Sequence, residues 1–134
     1  EVIPIMKQNH GGSIINISSV AGIKGIIARG PYCVSKWGLI GLSRVIAEEV
    51  GKDDIRVNTI CPGAVRGERI NRVMKKRAID YGVSREEIID KTISNTPLNR
   101  FINPEEVAST VIFLASKASS GITGEEILVS GGRR

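Results

Sequence analysis

Tyr32 and Lys36 stand four residues apart, a spacing that places both on one face of a helix, about one turn from each other. Such a pair has a chemical use. A free phenol titrates near ~10, so bringing it to neutrality needs about 4 kcal/mol of extra stabilisation of the phenolate. An ammonium about 4 Å away supplies about 1 kcal/mol in water and about 4 kcal/mol at an effective dielectric near 20. In a partly closed cleft, Lys36 is therefore strong enough to make Tyr32 a working acid–base group. Taken alone, Y-x-x-x-K has a plainer meaning: a Tyr and a Lys sharing a solvated helix face. Its setting separates the two. Ser19 ends the apolar, β-branched run Ile14-Ile15-Asn16-Ile17-Ser18, and a glycine-containing loop leads from it to Tyr32. A second such run, Ile55 to Ile60, ends in Cys61-Pro62-Gly63.

These residues need elements to hold them. The isoleucines from Ser13 to Ser18 predict a buried strand. Pro31 suits a helix start, and that helix runs to about Val50, where Gly51 is a natural stop. Gly38 and Gly41 inside it each cost about 1 kcal/mol against Ala unless another backbone packs closely there. Ile55 to Ile60 is the second strand. Asn103-Pro104-Glu105-Glu106 combines an N-cap, a first-turn Pro and an acidic third position, predicting a helix to about Ala115. Glu126 to Val129 reads as a short last strand, and residues 1–9 as the tail of a preceding helix. Alternating strands and helices with these connections imply an α/β fold with parallel strands and right-handed crossovers.

With those pieces in place, the chain resembles the short-chain dehydrogenase/reductase family. The resemblance rests on Gly11-Gly12-Ser13-Ile14-Ile15-Asn16-Ile17-Ser18-Ser19-Val20-Ala21-Gly22 and on Pro31-Tyr32-Cys33-Val34-Ser35-Lys36. It continues through Ile55-Arg56-Val57-Asn58-Thr59-Ile60-Cys61-Pro62-Gly63, Pro97-Leu98-Asn99-Arg100-Phe101, Pro104-Glu105-Glu106-Val107-Ala108, and Ile122-Thr123-Gly124 to Gly131-Gly132. The order and spacing match across essentially the whole chain. The family's Ser lies thirteen residues before its Tyr, which selects Ser19 over Ser18. The resemblance implies a Rossmann-like parallel sheet and an NAD(P)-dependent oxidoreductase acting on an alcohol–carbonyl pair. It implies that Tyr32 moves the proton, that Lys36 lowers the Tyr32 pKa and hydrogen-bonds the nicotinamide ribose, and that Ser19 donates to the substrate oxygen. It also implies that Pro62 and Gly63 pass beside the nicotinamide and that the Val65 backbone meets the carboxamide. Many relatives carry a Thr four residues after this Gly; here the position is Gly67, so that contact does not carry over.

Family members are about twice this length, and their first half holds the glycine-rich turn that binds the cofactor pyrophosphate at a helix N-terminus. Neither G-x-x-x-G-x-G nor G-x-G-x-x-G occurs here. The sequence thus reads as one domain spanning residues 1–134, the C-terminal half of a doubly wound fold. The residues that choose between NAD and NADP belong to the other half, so the cofactor is left as either one. Subunit contacts in the family, made by the helix bearing Tyr32 and by the last helix and strand, imply a homodimer or homotetramer.

Residues 66–96 correspond to the family's variable helical insertion over the substrate. Ser84-Arg85-Glu86-Glu87 is a capping-box pattern, predicting a helix to about Ile93. Arg66, Arg69, Arg72, Lys75, Lys76 and Arg77 against Glu68 alone make its first part basic. Two readings stand: recognition of an anionic substrate, with Arg66 and Arg69 nearest the cofactor loop, or a solvated helix face with Ile70, Val73 and Met74 turned inward.

The chain has 134 residues, 41% hydrophobic, which suffices for one core. No apolar run approaches the ~20 residues of a membrane span, and no signal peptide is visible. Cys33 and Cys61 lack metal-like spacing and are expected as free thiols in a reducing, cytoplasmic setting; His10 has no partner, and no metal site is expected. The net charge of +5 raises nucleic-acid binding as another class. Against it, aromatics are 4% of residues, leaving no stacking platform. A third class is a catalytically silent half that serves in assembly.

Overall fold

Runs of largely apolar, β-branched residues build a three-stranded sheet around which the helices divide. The computed structural model describes residues 1–133. Helix α1 (Val2–Gln8) leads to β1 (Gly12–Ile17), then α2 (Gly30–Val50), β2 (Ile55–Pro62), α3 (Glu68–Tyr81), α4 (Arg85–Ser94), α5 (Pro104–Ala115) and β3 (Glu126–Val129). The strands are parallel in the order β1-β2-β3. β1 pairs with β2 from Gly12↔Ile55 to Ile17↔Ile60, and β2 with β3 from Thr59↔Glu126 to Pro62↔Val129. The expected α/β parallel architecture is therefore present, with strand ends shifted by one or two residues.

Side chains alternate faces along a strand, and this sorts the helices. Ile55 and Val57, both fully buried, pack with Ala47 and Val50 of α2, and Ile14, Ile3 and Met6 close the cluster. Burying such Ile and Val side chains is worth about 1.5–3 kcal/mol each. On the opposite face, Arg56 reaches the end of α5, donating to the carbonyls of Leu114 (2.8 Å) and Ser116 (3.3 Å), and Ser13 donates to Leu114 as well (2.9 Å). Helix C-terminal carbonyls lack partners within the helix; here the sheet supplies them. The fully buried Asn58 donates to the Ile122 carbonyl (2.8 Å) and accepts from the Glu125 N–H (3.1 Å), which sets the turn feeding β3.

α3 and α4 form a hairpin with a small core of its own: Met74, Ala78 and Ile88, flanked by Ile70, Val73 and Ile89. Ser84 caps α4 by accepting from the Glu87 N–H at 3.1 Å, as its pattern predicts. At α5, Glu106 accepts from the Asn103 N–H (2.7 Å) and forms a two-pronged pair with Arg100 (both 2.7 Å).

α2 ends at Val50 with Gly51 as its cap, as expected; Gly51 is right-handed at φ −58° and opens a short 3-10 turn (Gly51–Asp53), and Asp54 at φ 58° makes the reversal. One expectation is corrected: among the described residues no backbone approaches Gly38 or Gly41, where a Cβ would meet nothing within 4 Å. Their face of α2 is open, and it carries Val34, Trp37, Leu42 and Val45, each more than half exposed.

Candidate active site

At the C-terminal ends of β1 and β2, where open α/β sheets gather their ligands, a cavity of about 450 Å³ opens. Ser19, Tyr32, Pro62, Gly63, Val65, Arg66 and Arg69 all line it. Lys36 stands behind Tyr32 rather than on the wall.

Each group is held by identifiable bonds. Ser19 has extended backbone just past β1, and its hydroxyl oxygen accepts from the Ala21 N–H at 3.2 Å. An oxygen already accepting on one side presents its O–H elsewhere. Ser18, which the spacing argument passed over, is buried and donates to the Lys36 carbonyl (2.9 Å), tying β1 to α2. Gly22 lets that junction close, since a Cβ there would stand 2.6 Å from the Ser18 Oγ and 2.8 Å from the Lys36 carbonyl oxygen. Further along, Asn16 donates to the Ser43 Oγ (2.8 Å), fixing the rotation of α2 and so the direction of Tyr32.

Lys36 Nζ donates to the Ile17 carbonyl at 3.0 Å and lies 5.9 Å from the Tyr32 ring centre. Two other cations flank the ring, the guanidinium carbons of Arg69 at 5.7 Å and Arg29 at 5.8 Å. Arg69 also donates to the Tyr32 Oη at 3.4 Å. Burial pushes the phenol up, yet it ends below its ordinary 10.0 because the Ser19 hydrogen bond, then the hydrogen bond and charge of Arg69, then the charge of Lys36 favour phenolate. From the sequence, Lys36 is the expected principal cause. In the folded chain Ser19 and Arg69 act more strongly, because Lys36 is drawn back to the end of β1.

The loop after β2 is equally specific. An isolated parallel bridge joins Val65 to Ile102 through the Ala64 carbonyl (to Ile102 N, 2.9 Å) and the Arg66 N–H (to Ile102 O, 2.8 Å). That pattern leaves the N–H and C=O of Val65 itself pointing to the other side. Gly63 packs so tightly on β3's end that a Cβ would meet Ser130 Cα at 3.0 Å. Gly67, at φ 145°, holds a conformation that a Thr rarely adopts, and it opens α3.

The basic stretch divides. Arg66, Arg69 and Arg77 line the cavity, while Arg72 and Lys75 are exposed and Lys76 pairs with Asp80 (3.0 Å) on the outer face. Ile70, Val73 and Met74 turn inward as expected. Sequence reasoning missed Arg77 as a cavity residue, although Arg69, Val73 and Arg77 fall at one helical face by their spacing. It also missed Arg29 and Arg133, which only the tertiary fold brings to the cavity. Cys33 and Cys61 are free thiols, and burial pushes that of Cys61 up.

Known proteins share this fold. The profile of the family described as Enoyl-(Acyl carrier protein) reductase matches residues 1–134. The 3-oxoacyl-(acyl-carrier-protein) reductase FabG of Rickettsia conorii is 42% identical over 132 residues, 98% of this chain and 50% of that protein. An actinorhodin polyketide ketoreductase crystallised with NADPH superposes with a TM-score of 0.89 at 31% identity, over 95% of this chain and 49% of its own. NAD+-bound xylitol dehydrogenase gives a TM-score of 0.92 at 28% identity, over 98% and 52%. The chain spans about half the length of the curated relatives it matches. A family match along its whole length, carried on the same strand–helix frame, means that the chain belongs to the short-chain dehydrogenase/reductase family.

Proposed function

We propose that this chain carries the proton-transfer and nicotinamide-side portion of an NAD(P)-dependent oxidoreductase that interconverts an alcohol and a carbonyl. The observation that supports it best is Tyr32: a phenol on a cavity wall, hydrogen-bonded by Ser19 and Arg69, with its pKa lowered. In the reducing direction Tyr32 gives its proton to the carbonyl oxygen while the Ser19 hydroxyl donates to that same oxygen, steadying the charge that develops there. In the oxidising direction the phenolate takes the alcohol proton. The phenolate, formed in the reducing direction and consumed in the oxidising one, is held by Arg69 and Lys36 in a partly desolvated site, where such charges act more strongly than in water.

The residues present fit the nicotinamide end of the cofactor. The free N–H and C=O of Val65 match the acceptor and donor of a carboxamide. Lys36 has three donors, of which the Ile17 carbonyl engages one, leaving N–H groups for ribose hydroxyls. The cofactor, when bound, supplies the hydride in reduction and accepts it in oxidation; position and electrostatics come from the protein. NADPH and NAD+ both occur among the solved relatives, so the reading covers either. The relatives include an oxoacyl-(acyl-carrier-protein) reductase, a polyketide ketoreductase and a xylitol dehydrogenase, all of which act on an alcohol–carbonyl pair.

The test is turnover in the protein that carries this chain. Tyr32→Phe should lower kcat by about 10²–10⁴-fold with the fold intact by circular dichroism, and Lys36→Ala should lose both turnover and cofactor affinity. Activity near wild type in Tyr32→Phe would remove the mechanism.

A second reading, self-assembly, is favoured by the open face of α2. Val34 and Trp37 are 74% and 53% exposed, with Leu42 and Val45 at 55%, and Gly38 and Gly41 permit close approach. A contiguous apolar stripe of this kind marks an interaction surface, and a symmetric copy of α2 fits it, giving a homodimer or, with a second contact, a homotetramer. Assembly and catalysis are compatible. A cytoplasmic location belongs with this reading; among the described residues no helix is long and apolar enough to cross a membrane.

A further inference from the structure

The cavity that holds Ser19 and Tyr32 has a second, strongly cationic wall. Five arginines line it, Arg29, Arg66, Arg69, Arg77 and Arg133, against the single carboxylate of Glu68. The ion pairs of the described residues lie elsewhere: Lys7–Asp53, Arg44–Glu126, Lys76–Asp80 and Arg100–Glu106. Arg69 and Arg29 sit against the Tyr32 ring. Arg77 and Arg133 have no such task. They nevertheless crowd: burial and then the charge of Arg29, with that of Arg133, pull the Arg77 guanidinium below its ordinary value, opposed by Tyr81. The Arg133 Nε is buried with no hydrogen-bond partner. Buried donors and cations are normally paired, so like charges gathered round a cavity with an unmet donor imply an anion that meets them.

We propose that Arg29, Arg77 and Arg133 form an oxyanion subsite, and that the substrate is a small carbonyl or alcohol compound carrying a phosphate monoester. Guanidinium forks match phosphate oxygens two at a time. A phosphate monoester is close to doubly charged near neutrality, and it offsets three crowded cations better than the single charge of a carboxylate. A cavity of about 450 Å³ lies within the size range of small-molecule sites. That the reacting carbon meets Tyr32 rests on the oxidoreductase reading; the anion subsite does not.

Inorganic phosphate is the probe, titrated calorimetrically into the full chain at constant ionic strength, with acetate as the comparison anion. Wild type should bind phosphate saturably and more tightly than acetate. Arg77→Gln and Arg133→Gln should each weaken phosphate at least tenfold, Arg77→Lys should fall between, and Arg72→Gln on the exposed side should match wild type. Absence of saturable binding in the wild type overturns the proposal whatever the variants do. So does equal weakening in Arg72→Gln, acetate binding as tight as phosphate, or displacement of phosphate by NADH or NADPH, which would assign the arginines to the cofactor. Because no turnover is read, a fully active Tyr32→Phe would sink the oxidoreductase reading and leave this subsite standing.

Discussion

Tyr32 is where chemistry and architecture meet, and its neighbours divide the labour. Ser19 and Arg69 touch the phenol, while Lys36 acts from behind, anchored on the Ile17 carbonyl. Removing Arg69 should therefore let burial win back ground. Arg69→Gln is expected to raise the Tyr32 pKa and move the basic limb or rise of a pH–rate profile upward; an unmoved profile would show that the Arg69 contact at 3.4 Å does not act on the phenol. The residue types at this site were largely legible in the sequence, because Y-x-x-x-K and the preceding Ser carry their own spacing. What was not legible is which cation dominates. That depends on Lys36 being drawn to β1 and on α3 bringing Arg69 across the cavity, a contact between residues 37 apart in sequence.

The elements hold this arrangement through a few buried polar bonds. Asn58 joins β2 to the turn before β3 with both ends of its amide used. Asn58→Ala removes the acceptor of the Glu125 N–H and leaves the Ile122 carbonyl only its 3.2 Å bond from Arg56, at about 1–3 kcal/mol for the lost pairing, and should lower the urea midpoint accordingly; an unchanged midpoint would show that water replaces the amide. Glu106 gives a pH-dependent case. Its hydrogen bonds with Arg100 and then with the Asn103 N–H bring its pKa from 4.5 to about 2. A depressed carboxylate contributes stability that is full above about pH 4.5 and is lost as pH falls through about 2. Wild type should thus lose more thermal stability than Glu106→Gln across that window, and parallel curves would contradict it. The Asn103-Pro104-Glu105-Glu106 signal placed this helix start correctly, as Ser84 placed that of α4, since capping is local chemistry. Gly51 marked the end of α2 in the same way, while the left-handed reversal falls three residues on at Asp54, where a local pattern holds nothing to place it.

At the scale of the molecule, the three strands are a parallel sheet with α2 on one face and α5 on the other, and β1 and β3 are its two outer strands. Gly38 and Gly41 meet nothing among the described residues, and on the self-assembly reading proposed above a second copy of α2 is what would pack there. Trp37→Glu should convert a self-associated species to a smaller one in sedimentation velocity without loss of helix signal, whereas an unchanged sedimentation coefficient would move assembly to another face. The cavity belongs to this scale too, because Arg29, Arg77 and Arg133 come from three separate parts of the chain and share only the space between them.

The most direct test of the account is the titration of the Tyr32 phenol itself. With tyrosine labelled at the ring carbon bearing the hydroxyl, and Tyr32→Phe to assign the two tyrosine signals, NMR reads its ionisation without cofactor, substrate or turnover. Tyr32 is expected to ionise below the ordinary phenol value of 10.0 and to move upward in Ser19→Ala and in Arg69→Gln. Ionisation at or above 10.0 in the wild type would mean that burial outweighs the cations, and that Tyr32 is not the proton-transfer group of this site.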